Sequence, residues 1–339
     1  MEIDIYPQIK DRLDEKRQNL TGFLATASEE QKDTCLSDDG HCIEDHLQVI
    51  ETSLIKIGDG TLGLCEVCRG IVDDSLLEMD YTSCICLDHY SDEERRRLES
   101  ELELSQVVQR ALLPQRTPNI EGVELAAFSR PSEIIGGDYF DFFKFRDGTH
   151  GLVIADVSGH GVSAGMLMSS LQTALRTMAP DTDSPAEILE RINRFYIHNI
   201  NFTTFVTVFL ARFDPTSRTL TYVNSGHNPP AVFRKDDNEV NWLTRTAPAI
   251  GLAEIYHPKT ETITFSDGDA LLLYTDGVTE AFNIGMEQFG QERLAELLLQ
   301  NIDLRASDIL QAVLQGVSVF GNHQSLADDV TMIAMKISG

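Results

Sequence analysis

Residues 154–168 read IADVSGHGVSAGMLM. The apolar start of this stretch ends in Asp156, and a glycine-rich turn follows it. An apolar run that ends this way predicts a β-strand with a carboxylate at the edge or mouth of its sheet, because glycine lets other backbone or a ligand approach closely. A helical segment is predicted next, near residues 161–178. The stretch therefore predicts a strand, a tight turn and a helix around one acidic side chain.

Three other segments end an apolar run in the same way. They are GGDYFD with Asp138 and Asp141, LLLYTDGVTEA with Asp276, and ADDVTMIAM with Asp328 and Asp329. One such aspartate is weak evidence, since turns are rich in Asp and Gly. Carboxylates that gather in one place repel each other and raise each other's pKa unless a cation is present. The set therefore predicts a pair of divalent ions.

The oxygen-only character of these side chains favours Mg²⁺ or Mn²⁺. Two such ions about 3.5–4 Å apart can activate a water molecule and neutralise charge on a phosphoryl group under in-line attack. The sequence has no P-loop motif, and its cysteines all lie upstream of this region. These observations favour metal-dependent hydrolysis of a phosphoester over cysteine-based catalysis or cradling of a nucleotide phosphate.

The pattern from residue 120 onward predicts an α+β layered domain. Turn signals separate many of its short β-rich runs, and further helices are predicted near 184–200, 290–300 and 305–319. The runs are VELAAFS, HGLVIADV, TFVTVFLARFD, TLTYVNS, ETITFS, DALLLYTD and DVTMIAMKI.

The six cysteines lie in the first 90 residues, at Cys35, Cys42, Cys65, Cys68, Cys84 and Cys86. In a cytosolic chain such a local cluster indicates a metal site rather than disulfides. Cys65, Cys68, Cys86 and His89 follow a Cys-x2-Cys-x17-Cys-x2-His spacing that suits tetrahedral Zn²⁺, with Cys84 as a rival for the third or fourth place. The sequence therefore predicts one zinc ion.

Helical spacing predicts two helices within residues 1–57, joined as an antiparallel hairpin across the polar break SDDGH at 37–41. Residues 91–113 predict one long helix, which Pro114 ends. A narrow face on it resembles a coiled-coil seam, which favours a dimerising helix and a simple linker about equally. That face carries Leu98, Leu102, Ser105, Val108 and Leu112.

The chain has 339 residues and a net charge of −27, which argues against binding to nucleic acid or to an anionic membrane. The sequence contains no run of 18 apolar residues, and its charged N-terminus lacks the apolar core of a signal peptide. These features predict a cytoplasmic protein.

Residues 116–338 resemble the PPM-type serine/threonine phosphatases, in their bacterial SpoIIE/RsbU branch. The preceding ELELSQVVQRALLPQ resembles the segment before that domain in the same branch. The motifs that carry the resemblance, in the family's order, are GGDYFDFF, IADVSGHGVSAGMLM, TFVTVFLARFD, LTYVNSGHNPPAVF, LLLYTDGVTEAFN, FGQERL and LADDVTMIAMK.

This resemblance implies an α-β-β-α sandwich that hydrolyses phosphoserine or phosphothreonine with metal-activated water. It implies that Asp138 and Asp156 hold or bridge two metal ions, with Val157 as a backbone ligand and with Asp276 and Asp328 as further ligands. Asp329 follows the matching ligand position, and Asp141 would lie one layer behind the ligands. The eukaryotic members bind phosphate with an arginine that has no evident counterpart in this sequence.

Two histidines lie in the matching motifs. His160 would be a general acid toward the leaving serine oxygen, or else a residue that packs in its turn. His227 has the same two interpretations, in a structured turn close to the site.

Residues 49–72 resemble the DksA/TraR zinc-finger family, although His89 stands where the last cysteine is usual. That family implies a helical hairpin before the finger and a helix after it. Its members can act on RNA polymerase through acidic residues at the hairpin tip, here Asp38 and Asp39.

The leading hypothesis divides the chain into a sensing or docking module (1–90), a signalling helix (91–115) and a phosphatase domain (116–338). By family analogy, the substrate is a phosphoprotein, a STAS-type anti-anti-sigma factor. One alternative is an RNA-polymerase- or protein-binding module with an inactive phosphatase scaffold, which the four retained aspartates argue against. Another is a nucleotide phosphodiesterase, which would usually show His-Asp metal pairs that the sequence lacks.

Overall fold

The computed structural model describes residues 6, 9–10, 13–14, 17, 21, 43–72, 85–86, 89, 91–132, 134–159, 161–199, 205–322 and 328–338. The chain divides into two compact units, Met1–Glu101 and Leu102–Gly339. No helix within these described ranges is both long enough and apolar enough to cross a lipid bilayer.

The first unit is helical around a small apolar core. The described positions between 6 and 21 are helical, and helix α1 spans Ile43–Gly58. Their apolar faces meet in a core that also takes up the start of the cysteine-rich segment. Its buried members are Ile9, Leu13, Ile50, Leu62, Cys65 and Val72. The predicted break at 37–41, with Asp38 and Asp39, lies outside the described residues, as do Cys35 and Cys42.

Helix α2 spans Asp92–Leu112 and matches the helix predicted for residues 91–113. Among its positions whose exposure is described, the large apolar side chains Leu104, Val107 and Val108 are 63%, 62% and 53% exposed. Val108 belongs to the predicted seam, and Leu102 and Leu112 of that seam are half-buried. A dimerising role of the helix stays a prediction.

The described residues of the second unit form ten strands and five further α-helices. The strands are β1 Val123–Arg130, β2 Tyr139–Lys144, β3 His150–Val157, β4 Val206–Asp214, β5 Thr219–Ser225, β6 Ala231–Arg234, β7 Glu239–Trp242, β8 Glu261–Thr264, β9 Ala270–Tyr274 and β10 Val330–Ile337. The helices are α3 Gly161–Met178, α4 Pro185–Asn199, α5 Asp276–Thr279, α6 Gly290–Asn301 and α7 Ala306–Phe320, with a 3₁₀ turn at Ala179–Asp181.

The strands form two five-stranded antiparallel sheets. One has the order β1-β10-β9-β6-β7 and the other the order β2-β3-β4-β5-β8. The site strands β3 and β9 therefore belong to different sheets. Any site that combines their ends must lie where the two sheets meet.

Strand β3 shows why the sheets stack as the middle layers of a sandwich. Its Leu152 and Ile154 pack in the core between the sheets, whereas Val153, Ala155 and Val157 pack against α3 and α4. Side chains alternate between the two faces of a strand, so a strand buried on both faces is apolar throughout. In the same way β9 directs Leu271 and Leu273 inward, and Leu272 and Tyr274 toward α6 and α7. The layers run α-β-β-α, which confirms the predicted fold.

Seven predicted strands and the helices predicted near 161–178, 184–200, 290–300 and 305–319 are confirmed. Strands β2, β6 and β7 were not among the seven predicted runs. Strands β6 and β7 have only four residues each, and β7 alternates between exposed and half-buried positions at the edge of its sheet. Short segments of this kind carry little periodic signal.

Candidate functional site

The predicted aspartates come together where the two sheets meet. Asp138 directly precedes β2, Asp156 lies near the end of β3, Asp276 begins α5 after β9, and Asp328 and Asp329 precede β10. The charges of Asp276, Asp328 and Asp329 all act on Asp156, and those of Asp156 and Asp329 act on Asp138. Four segments that are distant in sequence therefore supply one acidic group.

Burial and mutual repulsion make ionisation of these carboxyl groups unfavourable. Burial, followed by the nearby carboxylates, raises the pKa of Asp156 to about 8. Burial, followed by Asp328 and Glu280, raises the pKa of Asp276 to about 6. The pKa of Asp138 also lies well above its usual value, because the side chain is buried and faces Asp156 and Asp329. A divalent cation would relieve both effects, so the donor set fits Mg²⁺ or Mn²⁺.

Among the described residues, one group of three or more Cys, His, Asp or Glu ligand atoms has all its atoms within 4.8 Å of each other, and it is the cysteine and histidine group of the first unit. The aspartates of the acidic group are spaced more widely than this.

Thr275 orients Asp138 from the opposite sheet. Its hydroxyl donates a 2.8 Å hydrogen bond to Oδ2 of Asp138 and accepts one of 3.0 Å from the backbone N–H of Thr331. Thr275 is fully buried, and its own N–H donates to the carbonyl oxygen of Thr331. The sequence analysis missed this residue, since a threonine at a strand end is ordinary in a β-rich domain.

Asp329 holds the segment that leads to Asp138. Its Oδ1 accepts hydrogen bonds from the N–H (2.7 Å) and the hydroxyl (3.0 Å) of Ser132. Its Oδ2 accepts from the N–H groups of Gly137 (2.7 Å) and Asp138 (3.4 Å). Asp328 is exposed and accepts a 2.7 Å bond from the N–H of Asp329. The two neighbouring aspartates thus have different surroundings: Asp329 faces backbone donors, whereas Asp328 is open to the site.

Three glycines allow these segments to approach each other. A β-carbon on Gly277 would clash with the carbonyl oxygen of Asp329, and one on Gly136 would clash with the carboxylate of Asp329. A β-carbon on Gly137 would lie 3.0 Å from the carbonyl oxygen of Val157, the predicted backbone ligand. The glycines next to the aspartates therefore serve the close approach that their spacing predicted.

Asp141 is paired away from the acidic group. Its carboxylate, fully buried, receives two 2.6 Å hydrogen bonds from the guanidinium of Arg176 on α3 and one of 2.8 Å from the hydroxyl of Tyr139. Charge-assisted, two-pronged pairs of this kind are strong and geometrically specific. Asp141 therefore anchors α3 to β2.

Of the two histidines in the motifs, the structure describes His227. His160 lies outside the described residues. His227 is buried, its Nδ1 lies 2.9 Å from the hydroxyl of Thr207, and burial lowers its pKa to about 3. It is thus a neutral, packed residue at neutral pH, and Thr207 pairs across the sheet with Asp156.

Two cavities flank the acidic group, and Arg130 lines both. One of about 350 Å³ is also lined by Asp138, Asp329 and the end of α2. The other, of about 620 Å³, is also lined by Asp328 and Glu280. Arg130 is exposed at the end of β1. The sequence analysis found no basic residue for the site, and only the fold brings this one next to the aspartates.

Helix α2 contacts the same segment that Asp329 holds. Gln109 donates a 2.6 Å hydrogen bond to the carbonyl of Gly136 and accepts one of 3.1 Å from its N–H. One turn earlier, Gln106 donates a 3.0 Å bond to the carbonyl of Ile134. The two glutamines therefore tie the helix to the backbone that leads to Asp138.

The predicted zinc ligands also come together. One ligand atom from each of Cys65, Cys68, Cys86 and His89 lies within 4.8 Å of the others. The buried Sγ of Cys65 accepts the N–H of Cys86 at 3.5 Å. Burial alone would raise the pKa of Cys65, but nearby N–H groups lower it to about 6. Burial and the neighbouring thiols Cys65 and Cys68 raise the pKa of Cys86, so the second thiolate needs the positive charge that a zinc ion would supply. Cys84 lies outside the described residues.

Comparison with known proteins places the second unit among relatives. The family model for stage II sporulation protein E (SpoIIE) matches residues 146–338. That range includes Asp156, Asp276 and Asp328 and begins after Asp138. The phosphoserine phosphatase RsbU of Bacillus subtilis (strain 168) is 28% identical over 244 residues, which cover 71% of this chain and 71% of RsbU.

Two solved structures share the architecture. The SiaA-PP2C domain of Pseudomonas aeruginosa aligns with a TM-score of 0.64 at 20% identity, covering 72% of this chain and 99% of that one. The RsbU and RsbW domains of Rv1364c from Mycobacterium tuberculosis align with a TM-score of 0.56 at 28% identity, covering 65% and 61%. At 20% identity, the similarity to the SiaA-PP2C domain shows a shared fold only.

Proposed function

Because this chain belongs to the SpoIIE family of PPM-type phosphatases, we propose that it is a metal-dependent phosphatase of phosphoserine or phosphothreonine in a signalling protein. The observation that carries the proposal is the acidic group, in which Asp138 is buried and Asp156 is half-buried. Asp138 and Asp156 have strongly raised pKa values, and a fold rarely keeps such a group without a use for it.

The chain's own oxygen atoms would hold two Mn²⁺ or Mg²⁺ ions. The proposed ligands are the carboxylates of Asp138, Asp156, Asp276 and Asp328 and the carbonyl of Val157. When bound, such ions supply an activated water molecule and neutralise charge on the phosphoryl group. Thr275 keeps the carboxylate of Asp138 in one orientation through its 2.8 Å hydrogen bond. A fixed ligand orientation is what an octahedral magnesium site needs.

Arg130 and His160 are the proposed contacts to the substrate. Arg130, between the two cavities, would pair with the phosphate oxygens, which a guanidinium binds through two parallel hydrogen bonds. His160 would donate a proton to the leaving serine oxygen. Replacing His160 with asparagine would then reduce hydrolysis of phosphoserine more than hydrolysis of p-nitrophenyl phosphate, whose leaving group needs no proton.

The first unit would bind one zinc ion and would sense a signal or dock a partner. Helix α2 would transmit the response of the first unit to the acidic group. The two bonds between Gln109 and Gly136 support this route, because a shift of the helix would move the backbone next to Asp138. The similarity to a phosphoserine phosphatase supports a phosphoserine substrate. That the substrate is a STAS-type anti-anti-sigma factor is proposed by family analogy. Zinc content measured on the whole protein, expected at one ion per chain and lost in Cys65→Ser, tests the metal site.

The central experiment measures phosphate release from a phosphorylated STAS-type protein by the full chain, with Mn²⁺, with Mg²⁺ and with a chelator. Hydrolysis should require the divalent ion and should fall at least a hundredfold in Asp156→Asn. The matched control is Asp147→Asn, a substitution at an exposed turn aspartate outside the acidic group. Full activity in Asp156→Asn would show that the proposed ligands are wrong.

A further inference from the structure

We propose that the 620 Å³ cavity beside Asp328 is a subsite for an apolar side chain of the phosphoprotein, one or two residues from the phosphoserine. This inference rests on the proposed phosphatase function and adds a substrate preference to it. We call this cavity the side groove.

The side groove combines apolar and polar lining residues. The apolar ones include Phe128, Phe282, Leu314 and Val317, and the polar ones include Gln311 and Gln315 of α7. Phe282 is 40% exposed, a large fraction for a phenylalanine. Ligand sites in proteins commonly combine apolar walls with a few polar groups in this way.

The side groove is continuous with the proposed active site. Asp328, a proposed metal ligand, and Gly277, next to Asp276, line it directly. An extended peptide advances about 3.3–3.6 Å per residue. A peptide with its phosphoserine at the acidic group would therefore place a neighbouring side chain over the groove.

The charges around the groove indicate which side chains would be rejected. Of the described residues that line it, Glu280 and Asp328 are acidic and Arg130 is basic. Arg130 is the proposed phosphate contact, so an acidic side chain in the groove would face the two carboxylates without a free cation. Apolar side chains avoid this repulsion, and they would bury apolar surface against the apolar residues that line the groove.

The test uses phosphoserine peptides that carry Leu, Gly or Asp at each of the two positions on either side of the phosphoserine. With Mn²⁺ present, we expect kcat/KM to be about tenfold higher for Leu than for Asp in at least one position, as is usual for filling an apolar pocket. Gln315→Trp, which fills the groove from an exposed helix position, should reduce that preference to about twofold. Gln311→Trp, one turn away, repeats the test if the first variant folds poorly.

Val319→Trp is the matched control, because Val319 lies exposed on the same helix and does not line the groove. It should keep the full preference and hydrolyse p-nitrophenyl phosphate at the wild-type rate. Equal rates for Leu and Asp at every position, or a preference that Gln315→Trp and Gln311→Trp leave intact, would overturn the subsite. A wild-type chain unable to hydrolyse p-nitrophenyl phosphate would instead count against the phosphatase function.

Discussion

Asp156 lies in a position where a carboxylate destabilises the metal-free fold. Its environment is buried and surrounded by negative charge, so its folded pKa of about 8 is far above the value of about 4 in an unfolded chain. Between these two values the folded protein binds more protons than the unfolded chain does. Its stability without metal must therefore fall as pH rises from about 4 to about 8.

We expect chelator-treated protein to melt at a higher temperature at pH 5.5 than at pH 8. Asp156→Asn removes the ionisable group, so it should raise the melting temperature at pH 8 by about 2–4 °C or more and flatten the pH dependence. Differential scanning fluorimetry with chelator measures both. Mn²⁺ at pH 8 should stabilise the wild type and leave the variant nearly unchanged. A variant less stable than wild type at pH 8 would contradict this account.

Arg130 is the basic residue that both cavities share, so its loss should weaken binding of the phosphate. In Arg130→Ala we expect KM for a phosphopeptide to rise about tenfold, since one charge-assisted contact contributes about 1.5–3 kcal/mol. Steady-state kinetics at saturating Mn²⁺ measure the change. Arg146→Ala removes a surface arginine that pairs with Asp183, and it should keep the wild-type KM. Unchanged KM in Arg130→Ala would exclude the contact.

At the scale of elements, the described residues between Pro131 and Asp138 are held from two directions. Asp329, just before β10, contacts Ser132 and Gly137, and Gln109 contacts Gly136 from α2. Residues without regular secondary structure need such partners, because their backbone polar groups must be satisfied when they are buried. The position of Asp138 is therefore set jointly by a strand end and by a helix.

Gln109→Ala should raise the Mn²⁺ concentration needed for half-maximal activity by about five- to tenfold. The physical reason is the loss of two hydrogen bonds of about 1 kcal/mol each, which lets the backbone near Asp138 move. Titration of activity with Mn²⁺ measures it, and Gln106→Ala, which loses one bond to Ile134, should have a smaller effect. Equal Mn²⁺ requirements for wild type and Gln109→Ala would mean that the helix does not position the site.

The sequence predicted the strands and helices whose patterns repeat, and it predicted that the aspartates form one group. The prediction that each aspartate ends a strand was wrong for Asp138 and Asp328, which precede β2 and β10, and for Asp141, which lies within β2. The sequence did not predict Thr275 or Gln109, because their partners, Asp138 and Gly136, lie far away in the chain. The role of Arg130 also depends on the folded chain, which brings the end of β1 beside β10. Contacts of this kind come from the tertiary fold and leave no periodic signal.

For the whole molecule, the net charge of −27 opposes the approach of a phosphorylated substrate. Repulsion between exposed charges is screened by salt, with a Debye length of about 10 Å at 0.1 M and about 3 Å at 1 M. We expect kcat/KM for an acidic phosphoprotein to rise about two- to fivefold between 20 and 200 mM NaCl. The rate with p-nitrophenyl phosphate should change less. A fall in kcat/KM over this range would indicate attraction by a local basic surface instead.

Self-association is the second property of the whole molecule that the fold makes testable. Leu104, Val107 and Val108 are each more than half exposed on α2, and apolar side chains in such a group favour a partner surface. If α2 forms a homodimer, sedimentation velocity of the full chain should show a dimer that Leu104→Glu with Val108→Glu converts to monomer. Val162→Glu, at an exposed apolar site on α3, is the matched control. An unchanged sedimentation coefficient in the double variant would exclude this face.

Backbone is crowded at Gly277, so a change from glycine to alanine there should disturb folding more than a change from aspartate to asparagine at Asp156. A methyl group there meets the carbonyl of Asp329, so even alanine must displace the start of β10. In a randomised library sorted first for expression and then for catalysis, asparagine at position 156 should survive the first sort and fail the second. Alanine at position 277 should already be lost in the first.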